Sequence, residues 1–241
     1  MSASPGTTPA SPIAPPAKRS DLGVRILSAM VMLAVAGVAA RLGGLAFELF
    51  AFAVGIAALV EWVRLARGGF AGLPRIGLIV LGVALVALAI ATLILFRRVG
   101  LPHLLLPLLV TVLTDTGAYF AGRTFGGPKI APRISPSKTW SGLVGGMVAA
   151  GAGAAWWNGQ FAYHGDWTLP RIAAGFAIGG VLAIVAQVGD FFESWLKRRA
   201  GIKDSSRLIP GHGGVLDRVD GLLFVCAACA IGWAALHLMV E

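Results

Sequence analysis

The sequence predicts an all-α protein, a polytopic bundle of about seven transmembrane helices, and three observations carry that prediction. Of 241 residues, 57% are hydrophobic and 13% charged, with a mean hydropathy of +0.81; that charged share is about half the usual one for a soluble domain. Several runs of roughly 20 residues hold little or no charge, the length a helix needs to cross about 30 Å of hydrocarbon. The Lys and Arg residues behind the net charge of +9 gather at the ends of those runs, a distribution that fits membrane topology and anionic ligands and argues against nucleic acid as a partner. The bilayer is the expected solvent.

Residues 1–20 are rich in Pro, Ser and Ala without an apolar run, which predicts a disordered tail on the cytoplasmic side. Apolar helices are expected at about 24–41, 43–63, 76–96, 101–122, 141–157, 171–192 and 221–240. The first two are divided only by Arg41 and two glycines. The chain thus divides into the tail, N-terminal membrane helices over 21–100 and a membrane domain over 101–241 that holds the polar motifs. Lys18, Arg19 and Arg25, Arg64 and Arg67, the stretch Arg123 to Lys138, and the stretch Lys197 to Arg218 all fall on one side of a seven-span chain. The positive-inside rule makes that side cytoplasmic. One pair, Arg97 and Arg98, falls on the wrong side under this scheme, which raises the alternatives of a miscounted span or a re-entrant segment. Trp156, Trp157 and Trp167 border a loop at 158–170 that is nearly free of Lys and Arg and suits the outer interface. Gly142 and Gly146, and Gly175 and Gly179, place small residues one turn apart for close helix contacts. Cys226 and Cys229 form a C-x-x-C inside an apolar run and read as small packing residues.

Six of the eleven carboxylates, Asp115, Asp190, Glu193, Asp204, Asp217 and Asp220, fall within or beside the apolar helices of the second half. A carboxylate near lipid costs several kcal/mol, roughly 2.5 or more on insertion scales, unless paired, metal-bound or in a wet cavity. Asp115, with Thr111 and Tyr119 at i−4 and i+4, puts a polar stripe on the fourth span; a buried hydrogen-bond network would look the same. Gln187, Asp190, Ser194 and Lys197 share one face of the sixth span, with Glu193 at its edge, although Glu193 and Lys197 could also be an ordinary i,i+4 pair at a helix end.

Residues 203–221 pack four glycines, a proline, a histidine, three aspartates and three bases between two membrane helices. Pro210-Gly211-His212-Gly213-Gly214 forces a tight path with positive φ available at each glycine, and backbone N–H groups on such a path cradle phosphate oxygens. His212 is a candidate acid, base or phosphate donor, with a structural hydrogen bond as the alternative. Asp217 and Asp220 lie three apart at the start of the last helix, where Asp220 is equally well explained as a cap. Asp190 and Asp217, from facing helix ends, are candidate oxygen ligands for one or two Mg²⁺ ions, joined less firmly by Asp220.

On these residues the chain resembles the phosphatidate cytidylyltransferase family. The matching segments are Ser194-x-x-Lys197-Arg198, then Lys203-Asp204, then Pro210 to Asp220; a second block runs from Asp115 to Arg123 and on through Ser135 to Trp140. One departure stands out, Ser141-Gly142 where the family usually places Glu-Gly. The resemblance implies an Mg²⁺-dependent membrane enzyme that makes CDP-diacylglycerol and pyrophosphate from CTP and phosphatidic acid. It implies a catalytic set of Asp190, Asp217, Lys203 and His212, and a metal set of Asp190, Asp217 and Asp220. Substrate contacts are expected from Lys138, Ser135, Lys197, Arg198, Asp115, Arg218, Gly213 and Gly214. The expected partners are CTP, phosphatidic acid, the bilayer of a bacterial inner membrane and, for assembly, a second copy in a homodimer. A CTP-dependent lipid kinase is the nearest rival. An ion-coupled transporter should show paired half-sequences, which are absent here, and a purely structural membrane protein would leave the glycine-rich loop unexplained.

Overall fold

The computed structural model describes residues 22–162 and 165–240. The tail expected at 1–20 and His164 lie outside the described residues. Seven α-helices are described: α1 Leu22–Leu42, α2 Gly44–Gly69, α3 Gly72–Val99, α4 Leu101–Phe125, α5 Trp140–Trp157, α6 Leu169–Arg199 and α7 Leu216–Val240. All but α5 are long and apolar enough to cross a membrane. The fifth has 18 residues, many of them Gly and Ala, and no acidic or basic residue. Leu33, Leu45 and Leu73 are 74, 70 and 82% exposed; apolar side chains turned outward on this scale mark a surface solvated by lipid.

Each helix ends where the backbone changes sign or loses its period. Gly43 and Gly44, both with positive φ, separate α1 from α2, a conformation that costs glycine little and other residues more. Gly126 and Gly127, again with positive φ, turn the chain out of α4. The basic segment that follows, in which the sequence pattern predicts no strand, folds as an antiparallel hairpin of β1 (Lys129–Ala131) and β2 (Ser135–Thr139). Lys129 pairs with Thr139 and Ala131 with Ser135, with an irregularity between them. Pro132 sits in the tight turn, closed by Ile134 N–H donating to Ala131 C=O at 3.0 Å, the position its fixed φ favours. Strands this short show no usable alternation, so turn chemistry rather than hydrophobic period makes the hairpin.

The connections sort to two ends. At one end Gly69 lies against Ala200 and Arg199, Arg25 against Gly211, and the hairpin against α6. At the other, Arg97 donates through Nε to Ala40 C=O, Trp157 donates to Pro102 C=O at 2.7 Å, and Arg98 pairs with Glu48 at 2.6 Å. Arg97 and Arg98 therefore lie opposite the basic loops without any change in the span count. Their charges are held by two helix-end carbonyls and a carboxylate.

Small residues bring α4, α5 and α6 together. A Cβ on Gly146 would stand 2.9 Å from Thr114 O, and one on Gly175 2.7 Å from Ala155 Cα, so the glycine pairs read from sequence are the contact lines between backbones. One core cluster joins Trp62 and Leu65 of α2, Val86 and Ala89 of α3, Leu196 of α6, and Leu216, Leu223 and Cys226 of α7. Another joins Val110, Ala150, Ala154, Leu182, Ala183 and Val225. In the first of these clusters α2 and α3 pack directly on α6 and α7. Both cysteines are free thiols; Cys226 is fully buried and Cys229 packs against the second cluster.

Candidate active site

At the basic end, α4, the hairpin, α6 and α7 enclose a cavity of about 500 Å³ lined by Asp115, Asp190, Asp217 and Asp220 together with Lys138, Arg123 and Arg218. Each element delivers its side chain for a local reason. The hairpin carries Lys138 back over the bundle, where its Nζ donates to Gln187 Oε1 at 3.0 Å and ion-pairs with Asp190. Gln187 and Asp190 stand three residues apart, so one helical face of α6 presents both. Asp115 lines the cavity with Tyr119 one turn further along α4, and Arg123 donates to the Tyr119 hydroxyl at 3.1 Å. Thr111, the third member of that stripe, instead donates to Pro107 C=O at 2.8 Å.

Asp217 has a second task. Its Oδ1 accepts from Lys197 Nζ at 2.8 Å, its Oδ2 from Gly214 N–H at 2.8 Å, and Ser205 N–H is shared between both oxygens at 3.2 and 3.1 Å. Three of the roughly four acceptor sites of a carboxylate are thereby engaged. Lys197 also ion-pairs with the buried Glu193. The i,i+4 pair is present as anticipated, but inside the protein rather than at a surface, with its cation shared between two carboxylates. The capping role weighed for Asp220 is not seen: among the described hydrogen bonds Asp220 accepts from Gly221 N–H alone, and Asp217 holds the loop before α7 rather than the N–H groups of the helix.

The glycines of the loop differ in purpose. Gly211 and Gly213 have positive φ, whereas Gly214 does not. Gly214 is small because a Cβ there would collide with Ser205 Oγ and Glu61 Oε2. Its N–H is given to Asp217, so the expected phosphate cradle does not extend to it. Lys203, His212 and Gly213 line a separate cavity of about 640 Å³ with Arg25, Arg207 and Asp204, and Arg218 lines both cavities. Ser135 is buried in β2 and Arg198, which donates to Ile134 C=O, is exposed; neither lines these two cavities.

The residue that sequence reasoning missed is Glu61. It lies in α2, is 2% exposed, and its carboxylate gathers the loop: Oε1 accepts from Ser206 Oγ at 2.6 Å and Val215 N–H at 3.1 Å, Oε2 from Ser205 Oγ and Leu216 N–H, each at 2.8 Å. The N-terminus of α7 is thus capped in trans by a negative charge at its positive dipole end. The signal was available, since of the two carboxylates in this 26-residue apolar helix Glu48 lies near its start, whereas Glu61 lies well inside and carries the same cost that singled out Asp115.

Four carboxylates against three cations leave the cavity lining short of positive charge, and all four offer hard oxygen donors of the kind Mg²⁺ takes. Among the described residues no three His, Cys, Asp or Glu side chains form a ready cation cluster. Mg²⁺ sites commonly use one or two carboxylates and complete the shell with water and substrate phosphate, so the donor set fits such an ion.

Residues 69–236 match the model of the cytidylyltransferase family. The chain belongs to that family. A protein named phosphatidate cytidylyltransferase from Brucella suis biovar 1 (strain 1330) is 37% identical, the alignment covering 86% of this chain and 92% of the relative. Its namesake in Rickettsia prowazekii (strain Madrid E) is 33% identical over 85% of this chain and 89% of the relative. One in Haemophilus influenzae is 46% identical over 126 residues. The family match takes in every element of the acid-lined cavity, but Glu61 precedes it.

Proposed function

We propose that the protein is a membrane-embedded nucleotidyltransferase of phospholipid biosynthesis that converts CTP and phosphatidic acid to CDP-diacylglycerol and pyrophosphate. The observation that carries this reading is the cavity itself, in which two distant sequence blocks meet to set carboxylates beside Lys138 and Arg218 at the end of a lipid-facing bundle. The family membership and the printed name of the relatives point to the same chemistry.

An oxygen of the lipid phosphate attacks the α-phosphorus of CTP. A new P–O bond forms as the bond between the α- and β-phosphates breaks, and pyrophosphate leaves. Both reactants are strongly anionic, so positioning and charge neutralisation dominate. Lys138 and Arg218 neutralise phosphate oxygens inside the cavity, with Arg123 at its wall. Lys203 and His212, in the adjoining cavity, take the remaining phosphate charge. Lys197 acts through Asp217 and holds it in place. Mg²⁺ would be held by one or two carboxylates drawn from Asp190, Asp217 and Asp220 and would supply charge neutralisation on the nucleotide phosphates. The basic end faces the cytoplasm of a bacterial inner membrane, where CTP is dissolved, in keeping with the positive-inside rule.

The deciding experiment follows two labels through purified protein given CTP, Mg²⁺ and phosphatidic acid. Label on the α-phosphate should enter the lipid and label on the γ-phosphate should leave as pyrophosphate. Transfer of the γ-label to lipid, with CDP released, would mark a lipid kinase and overturn the reading.

A further inference from the structure

A third cavity, of about 270 Å³, runs along the bundle between α1, α2, α3, α4 and α7, and every described lining residue except Arg218 is apolar or glycine. Building on the reading above, we infer that this cavity is the groove for one acyl chain of the lipid substrate, a phosphate-monoester lipid whose head group rests on Arg218.

Its shape follows from how α1 is attached. Ser28 Oγ near one end donates to Pro210 C=O at 2.7 Å, and Ala39 near the other joins Phe47 and Leu104 in a core cluster. Ala36 and Ala40, one turn apart on one face of α1, line the cavity together with Ala51 and Ala58 of α2. Small residues on both walls leave a channel. From Phe47 to Ala58 it follows α2 for about 16 Å at the rise of an α-helix. An apolar space of this kind stays dry and takes hydrocarbon.

The head-group end selects the lipid. Arg218 lines this groove, the acid-lined cavity and the basic cavity, so a chain in the groove delivers its phosphate to the place where the other two meet. Arg25, Lys203 and Arg207 add positive charge in the basic cavity against Asp204 alone, a balance that favours a phosphate monoester over a zwitterionic head group.

The test uses wild-type protein in nanodiscs and phosphatidic acid with a diazirine near the end of one chain. Adducts are expected on peptides holding Ala36 to Ala58, suppressed by unlabelled phosphatidic acid and not by phosphatidylcholine. Adducts on the outer α4–α5 surface near Phe120 and Trp140, or equal suppression by phosphatidylcholine, would mean a solvating bilayer lipid only. Cavity-filling variants from opposite walls, Ala40→Phe and Ala51→Phe, should raise KM for long-chain phosphatidic acid roughly tenfold by excluding about two methylenes, while a short-chain substrate keeps its wild-type KM and kcat. Equal loss on both chain lengths, or none on either, overturns the assignment; should neither variant insert, the labelling of wild-type protein decides. Failure of the label-tracking assay would sink the reaction without altering where the diazirine lands.

Discussion

Glu61 on α2 accepts the backbone N–H of Leu216, the first residue of α7, through Oε2 at 2.8 Å. The two residues are 155 positions apart, and the bond fixes the loop that carries His212 and Gly213, with the start of α7 that carries Asp217, to a helix whose other buried residues are apolar. A buried carboxylate with four donors is tolerated because those donors replace water.

Glu61→Ala leaves Ser205, Ser206 and two helix-end N–H groups without their acceptor. The expected loss is about 3 kcal/mol or more of stability, seen as a lowered melting temperature in detergent, with turnover falling alongside. Glu61→Gln keeps one carbonyl acceptor and should lose less. A melting temperature unchanged in the alanine variant would remove Glu61 from its capping role.

Asp217→Asn should insert normally yet abolish CTP-dependent conversion of phosphatidic acid. The amide carries no charge for Mg²⁺ or Lys197, and Lys197 would then rely on Glu193 alone. Chromatographic profile and CDP-lipid yield, measured on the same preparation, separate loss of chemistry from loss of fold. Wild-type turnover would refute the assignment.

Gly179→Leu is expected to part α5 from α6. A Cβ there already lies 2.7 Å from Ala154 Cβ and closer still to Ala150 O, which belongs to the backbone and cannot step aside. Overpacking at such a seam costs about 1–3 kcal/mol. Gly23→Leu, where a Cβ meets nothing within 4 Å, is the control, and its melting temperature should not move.

Ser141→Glu tests the departure from the family pattern. Ser141 donates to Gly126 C=O, stands 3.1 Å from Thr139 Oγ1, and lines the outer α4–α5 groove rather than the acid-lined cavity. Introducing the usual glutamate should therefore leave the Mg²⁺ titration of activity within about twofold of wild type, a difference too small to represent a lost ligand. A tenfold shift in the Mg²⁺ midpoint would place position 141 in the metal site.

Composition and period alone determined the class of this protein. A chain this apolar has no soluble solution, charge-free runs of membrane length must be helices, and basic clusters set their direction, because each rule acts locally along the chain. The acids of α6, α7 and α4 were legible on the same ground, since burying charge is costly enough to demand a reason wherever it occurs. Tertiary structure alone decided what those acids do. Asp217 became a loop anchor as well as a cavity wall, Lys138 met Asp190 across 52 positions, and Arg218 came to border three cavities. Hydrogen bonds and cavities form between segments far apart in sequence, and no local pattern records which donor will find which acceptor once the helices have packed.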